Sequence, residues 1–220
     1  MKNLLIAVVL GLVLFSCKHD APTPPSYTIA LSPTLRDYGY FLPGTYWVYE
    51  DSASHSLDSV YVLSASTGTN SVTKQQNLGY VGTFGWFKMQ LFGTRQAETD
   101  NEWVDMTYSM NFPAAVLWRN KTVNGNFIGE NFLMTDDFNT QFSTAAPREP
   151  NGSIGIVNAF DTLRVLNTVF KTVVEMYDKK NSCEGNNRSN VYISKHTGVI
   201  RKELLDSNKV WNLKRYHIVQ

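Results

Sequence analysis

Apolar and polar residues alternate with a period of two along much of this chain, the pattern of strands that bury one face. Residues 45–50 (Thr45-Tyr46-Trp47-Val48-Tyr49-Glu50) and 59–63 (Ser59-Val60-Tyr61-Val62-Leu63) are aromatic and β-branched. Ser, Asp and His lie between them, which predicts two strands and a polar turn. From Gly79 to Phe92 the alternation puts Val81, Phe87, Met89 and Leu91 on one face and Tyr80, Phe84, Trp86 and Phe92 on the other. Glycines at 79, 82 and 85 predict a bulge or a strong bend in that strand. Residues 102–110 set Val104, Met106, Tyr108 and Met110 against Asp105, Thr107 and Ser109, and residues 114–118 and 127–134 flank the turn dipeptide Asn124-Gly125 of a hairpin. Residues 135–151 are polar and irregular, a loop long enough to suggest a role of its own.

The last third repeats the grammar. Phe170, Thr172, Val174 and Met176 alternate with Lys171, Val173, Glu175 and Tyr177. Residues 191–194 turn through Lys195-His196-Thr197-Gly198 into residues 199–204, with Gly198 supplying a positive φ. A second turn at residues 206–209 leads into 210–219, where the phase slips between Leu213 and Tyr216 and predicts a β-bulge. No helical period of any length follows residue 17; residues 94–100 suit a single turn, and Pro33 and Pro43 read as an irregular entry. The expected fold is all-β over residues 41–220: one domain, an antiparallel meander forming a curved sheet, a partly closed barrel or a sandwich.

The start of the chain follows a different rule. After Met1 and Lys2 comes an unbroken apolar run, Leu4 to Phe15. As a helix of about twelve residues it would reach roughly 18 Å, short of a hydrocarbon core about 30 Å thick. A basic residue before a short apolar stretch is the form of a secretory signal peptide. The run closes on Leu14-Phe15-Ser16-Cys17, which resembles the lipobox of bacterial lipoproteins. That resemblance implies removal of residues 1–16, acylation of Cys17 and a stable membrane anchor, since two or more fatty chains hold where one does so only marginally. Residues 17–40 then form the lipidated cysteine and a Pro-rich tether, with Pro22, Pro24 and Pro25 keeping its first part extended.

Composition narrows the function classes. The formal net charge is +1, so no electrostatic footprint for nucleic acid exists. Aromatics make up 13% of the chain, which favours strands and supplies ring faces for packing or recognition. There are two cysteines; with Cys17 acylated, Cys183 has no partner for an intrachain disulfide and reads as a bystander in a polar turn.

Several segments together look like uncharacterised lipoproteins of Bacteroidota: the aromatic entry Phe41-Leu42-Pro43-Gly44-Thr45-Tyr46-Trp47-Val48-Tyr49, the strand Val169-Phe170-Lys171-Thr172-Val173-Val174-Glu175, the hairpin Gly198-Val199-Ile200-Arg201-Lys202-Glu203 and the closing Trp211-Asn212-Leu213. The likeness implies an outer-membrane lipoprotein and brings no activity with it. Asp20 is the only acid among the first residues after the cysteine, so the face of the membrane stays open.

Motifs for chemistry are few. HExxH, Walker, GxGxxG and CxxC patterns are absent, and Asn151-Gly152-Ser153-Ile154-Gly155 lacks the first glycine of a nucleophile elbow. His55, His196 and His217 read as solvated surface, and Asp136-Asp137 with Glu130 lacks calcium-loop spacing. The sequence thus points to a chain with no metal, no cofactor and no catalytic residue. The face carrying Tyr80, Phe84, Trp86 and Phe92 is either sandwich core or the lining of a cleft for a lipid or glycan. Asp51-Ser52-Ala53, Asp58-Ser59-Val60 and Asp161-Thr162-Leu163 resemble the Asp-Ser/Thr-aliphatic sites of Bacteroidota O-glycosylation, making Ser52, Ser59 and Thr162 candidate acceptors. The expected function is a membrane-anchored, non-enzymatic binding or envelope-assembly module, with other envelope proteins, a glycan or a lipid as partner. A half-barrel carrier of an apolar ligand, or a hydrolase with an unrecognised site, is the alternative.

Overall fold

The computed structural model describes residues 25–72, 81–95, 101–108, 115–124, 126–135, 154–181 and 187–220. Among the described residues twelve strands and one short helix follow in order: β1 (Ser26–Ile29), α1 (Pro33–Gly39), β2 (Tyr46–Asp51), β3 (Leu57–Val72), β4 (Val81–Gly93), β5 (Asn101–Tyr108), β6 (Ala115–Val123), β7 (Asn126–Thr135), β8 (Ile154–Val165), β9 (Thr168–Asn181), β10 (Asn187–Ser194), β11 (Gly198–Leu204) and β12 (Lys209–His217). All strands belong to one hydrogen-bonded sheet. Eleven of them run antiparallel in the order β7-β6-β5-β4-β3-β2-β12-β11-β10-β9-β8, and β1 adds in parallel to the start of β4. The fold is therefore all-β, a curved antiparallel sheet that is not closed into a barrel.

Two meanders make the sheet, β2 to β7 and β8 to β12, and the pairing of β2 with β12 joins them. Among the described residues the outer strands β7 and β8 approach each other without forming a ladder. Hairpin chemistry follows the sequence where a turn signal exists. Val123 pairs with Asn126 around Asn124, whose φ is 50°, and Ser194 pairs with Gly198, whose φ is 83°. The slip expected in β12 is present: the β2 register shifts between Leu213 and Arg215.

Four features differ from the sequence reading. Residues 26–40, read as tether, fold onto the sheet as β1 and α1. Ser32 caps the helix by accepting from the Leu35 N–H at 3.2 Å, Pro33 opens its first turn, and Leu35, Tyr38 and Tyr40 are buried. Gly82 and Gly85 mark no bulge; the β3–β4 register is continuous there and shifts instead between Val62 and Ser64. Their missing side chains admit the β1 segment: a Cβ at Gly82 would lie 1.9 Å from the Tyr27 carbonyl oxygen, and one at Gly85 2.5 Å from the Leu31 nitrogen. Strand β8 went unread because its turn to β9, Leu166-Asn167, contains no glycine or proline. The alternation expected through β9 breaks at Thr172, whose φ is 50°, after which Val173, Val174, Glu175 and Met176 are all buried. Thr135 ends β7, while Gly79, the rest of the loop expected at 135–151 and Cys183 lie outside the described residues.

The core gathers on the inner face of the sheet, with α1 over it. Leu35, Phe87 and Ile200 are fully buried, and the Tyr40 ring lies 5.0 Å from Phe87. The helix is tied to one end of the sheet. The Tyr38 hydroxyl donates to the Thr172 carbonyl at 3.2 Å, the His196 N–H to the Asp37 carbonyl at 2.7 Å, and Lys195 Nζ lies 3.1 Å from Asp37 Oδ2. Near the chain end, Val219 exchanges hydrogen bonds with Thr45 through its N–H (2.9 Å) and its carbonyl (3.1 Å).

Candidate functional site

An open cavity of about 270 Å³ lies within the inner face, bounded by α1 and by strands from β2 to β6 and β10 to β12. Its floor is aromatic and aliphatic: Phe41, Trp47, Tyr49, Met89, Leu91, Val104, Ile193 and Trp211. Two polar tips of the floor, those of Trp47 and Tyr49, are turned to the backbone. Trp47 Nε1 donates to the Thr197 carbonyl at 2.6 Å and the Tyr49 hydroxyl to the Val199 carbonyl at 2.9 Å. The edge of Phe41 meets Trp47 at 5.1 Å and 82°, and Gly198 leaves room for both rings. With those two tips engaged, Phe41, Trp47, Tyr49, Met89 and Leu91 present ring and chain carbon to the cavity.

Charge enters through the pleat. On β11, Val199, Lys202 and Leu204 line the cavity across a register shift at Ile200, and Lys202 pairs in register with Val191 on one side and Trp211 on the other. On β5, Glu102 shares the phase of Val104 and pairs with Leu91 and with Lys121 of β6. Arg95 stands 4.9 Å above the Trp211 ring. Asp58 and Lys209 complete the polar part of the lining. Glu102 is buried; Lys121 and Lys202 are half-buried. Beside Trp211 in register, buried Asp51 accepts from the Ser54 N–H and hydroxyl, and those bonds hold its carboxyl below the usual range.

The aromatic face proposed from sequence stands elsewhere. Phe84 is 1% exposed and pairs with Ile29 of β1, outside the main core cluster. Trp86 lies across Gly68 of β3, and Phe92 is exposed on the outer surface. None of the three lines the cavity, because β4 turns its other phase, Met89 and Leu91, inward. Tyr80 and Cys17 lie outside the described residues, as do Asp136 and Asp137. Phe92 instead ends a row on the outer face, His217–Tyr46–Tyr61–Phe92, with ring separations of 6.0 Å from His217 to Tyr46 and 6.4 Å from Tyr46 to Tyr61.

The remaining candidates are separate from the cavity and from one another. Ser52, in the turn after β2, accepts from the Asn212 amide at 2.8 Å; Ser59 is half-buried within β3; Thr162 is exposed on edge strand β8. His55 Nδ1 contacts Glu50 at 2.8 Å, while His196 lies in the β10–β11 turn. Among the described residues no group of three His, Cys, Asp or Glu could hold a metal, and no helix is long and apolar enough to cross a membrane.

Sequence reasoning passed over Lys202 and Glu102. Each was legible as a charge standing in the apolar phase of its strand, between Ile200 and Leu204 in one case and two residues before Val104 in the other. Lys121 and Arg95 carried no such signal, since only strand pairing brings them to the same space. These features define an open, curved β-sheet protein with a concave cavity on its inner face. Compared with protein-family models, curated proteins and solved structures, the chain shows no match to any.

Proposed function

We propose that this protein is a membrane-anchored binding module of the cell envelope that takes a small, largely apolar ligand into its cavity. The observation that carries the reading is the aromatic floor, in which the Trp47 indole N–H and the Tyr49 hydroxyl already point at carbonyls of the β10–β11 hairpin. A volume of about 270 Å³ stands near the lower end of the roughly 300–1,000 Å³ typical of small-ligand pockets. The described lining contains no Ser, Thr, Cys or His, so a Ser–His or Cys–His pair is not among its side chains. The apolar floor supports the carrier reading among the alternatives.

The anchor rests on Leu14-Phe15-Ser16-Cys17, with acylation at Cys17 and the outer membrane as destination. Incorporation of a fatty-acid analogue that Cys17→Ser abolishes tests it; a native protein that takes up no lipid ends the proposal. For the cavity, titration with decanol followed by tryptophan fluorescence is the direct measurement, because Trp47 and Trp211 line the site. Saturable binding is expected, lost in Val60→Trp, which fills the space opposite Gly93. Equal response in the wild type and a folded Val60→Trp would place the ligand elsewhere.

A further inference from the structure

We propose that the outer face of the sheet binds an acidic polysaccharide, laid across the strands along the aromatic row His217–Tyr46–Tyr61–Phe92. The row faces away from the cavity, so the inference does not depend on what the cavity takes. It passes in register from β12 through β2 and β3 to β4. Tyr61 is 40% exposed and Phe92 37%, and the half-buried Trp103 of β5, opposite Gln90, carries the aromatic surface one strand further. Cross-strand ring contacts help to hold a sheet together. That role does not require neighbouring rings to stand in water, where adjoining apolar surface marks a contact site.

Charge selects the partner. Arg215, opposite Val48, and His217, opposite Tyr46, share this face at the β12 end, and both are exposed. Among the described residues Arg215 has no carboxylate partner. The acids of the same face are otherwise placed. Glu50 is bonded to Lys214 and His55, Glu203 to Arg201, and Asp105 stands opposite Lys88 in register. Glu175, bonded by Tyr192 and Asn158, lies three strands away on β9. A guanidinium donates two parallel hydrogen bonds to a carboxylate, and sugar C–H groups rest against the electron-rich faces of aromatic rings while hydroxyls stay in water. A repeating chain adds such contacts along the row. An acidic peptide offers no flat C–H faces, and because β12, β2, β3 and β4 are all internal strands it finds no free backbone edge here.

Calorimetric titration of the full-length protein with a linear mannuronate hexamer, the mannose hexamer of the same linkage and hexaglutamate tests this. We expect mannuronate to bind roughly tenfold tighter than either of the others, the size of one charged hydrogen bond or of two ring contacts. Arg215→Gln should bring mannuronate down to the level of the mannose chain and leave the latter unchanged. Tyr61→Thr with Phe92→Thr keeps residues that suit a strand, and should weaken mannuronate about tenfold while decanol titration of the cavity stays as in the wild type. If that double variant does not fold by circular dichroism, Tyr61→Thr alone takes its place, with a smaller loss. Equal affinity for mannuronate and hexaglutamate would reduce the surface to charge attraction and overturn the glycan. Equal affinity for the two sugars, or mannuronate binding that Arg215→Gln leaves intact, would overturn the acidic class. Full binding by the folded aromatic variant would take the site off the row, and no binding of mannuronate would end the proposal whatever decanol shows.

Discussion

At the scale of single residues, the cavity floor depends on hydrogen bonds that aromatic tips make to one hairpin. Trp47 is 4% exposed and its indole N–H meets the Thr197 carbonyl at 2.6 Å. Trp47→Phe keeps most of the ring and removes the donor, so that carbonyl loses its partner inside the protein. The expected cost is about 1–3 kcal/mol of unfolding free energy by urea titration, with decanol affinity reduced as the floor loosens; a change within about 0.5 kcal/mol would show the bond to be dispensable. Tyr192 illustrates the same economy on the outer face. Its hydroxyl donates to Glu175 at 3.0 Å, while Asn158 donates to the other carboxylate oxygen. Burial first, then the nearby charges of Glu203 and Glu175, push its phenol far above the ordinary tyrosine value. The depth of Trp47 could not be read from residue type, because its partner Thr197 lies 150 positions away in the β10–β11 turn; the Tyr192–Glu175 pair needs only the β9–β10 register, which residue type does not give.

Among elements, β1 and α1 show how a short segment is recruited by the surface it meets. The Ser32-Pro33 cap signal was present in the sequence, yet seven helical residues carry too few turns for periodicity to show. The parallel pairing of β1 depends on bare backbone at Gly82 and Gly85. Gly82→Ala should therefore displace β1, since the Tyr27 carbonyl is backbone and cannot swing aside. Hydrogen exchange on the full chain should show faster exchange for the amides of residues 26–29 and 81–84 than in the wild type, with residues 191–213 unaffected. Unchanged protection at 26–29 would mean that β1 does not depend on that contact. The C-terminal meander was more legible: turn residues, alternation and the bulge after Leu213 all follow local rules.

For the molecule as a whole, acid response follows from carboxylates held in their charged form. Asp51 is lowered chiefly by the Ser54 side chain, Glu50 by Lys214 and then His55, and Asp206 by the Arg188 guanidinium that grips it at 2.7 and 2.9 Å. A carboxyl lowered in the folded state binds its proton more weakly there than in the unfolded chain. Its contribution is complete above the ordinary carboxylate value and disappears as pH falls through the lower folded value. The thermal midpoint should stay nearly level from about pH 7 to pH 5 and drop below about pH 4. Asp51→Asn, which keeps an acceptor for Ser54, should flatten part of that decline. An identical acid profile in this variant would remove Asp51 from the account.

Alternation and turn residues sufficed to specify strands, most hairpins and the all-β class, because each depends on neighbours a few positions apart. Tertiary structure alone decided that β12 closes against β2, that β7 and β8 form no ladder with each other among the described residues, and that Met89 rather than Trp86 faces the cavity. Local pattern tells two faces of a strand apart without saying which turns inward. That choice is made when strands distant in sequence pair in register, and the same pairing brings Lys121, Lys202 and Arg95 around one aromatic floor.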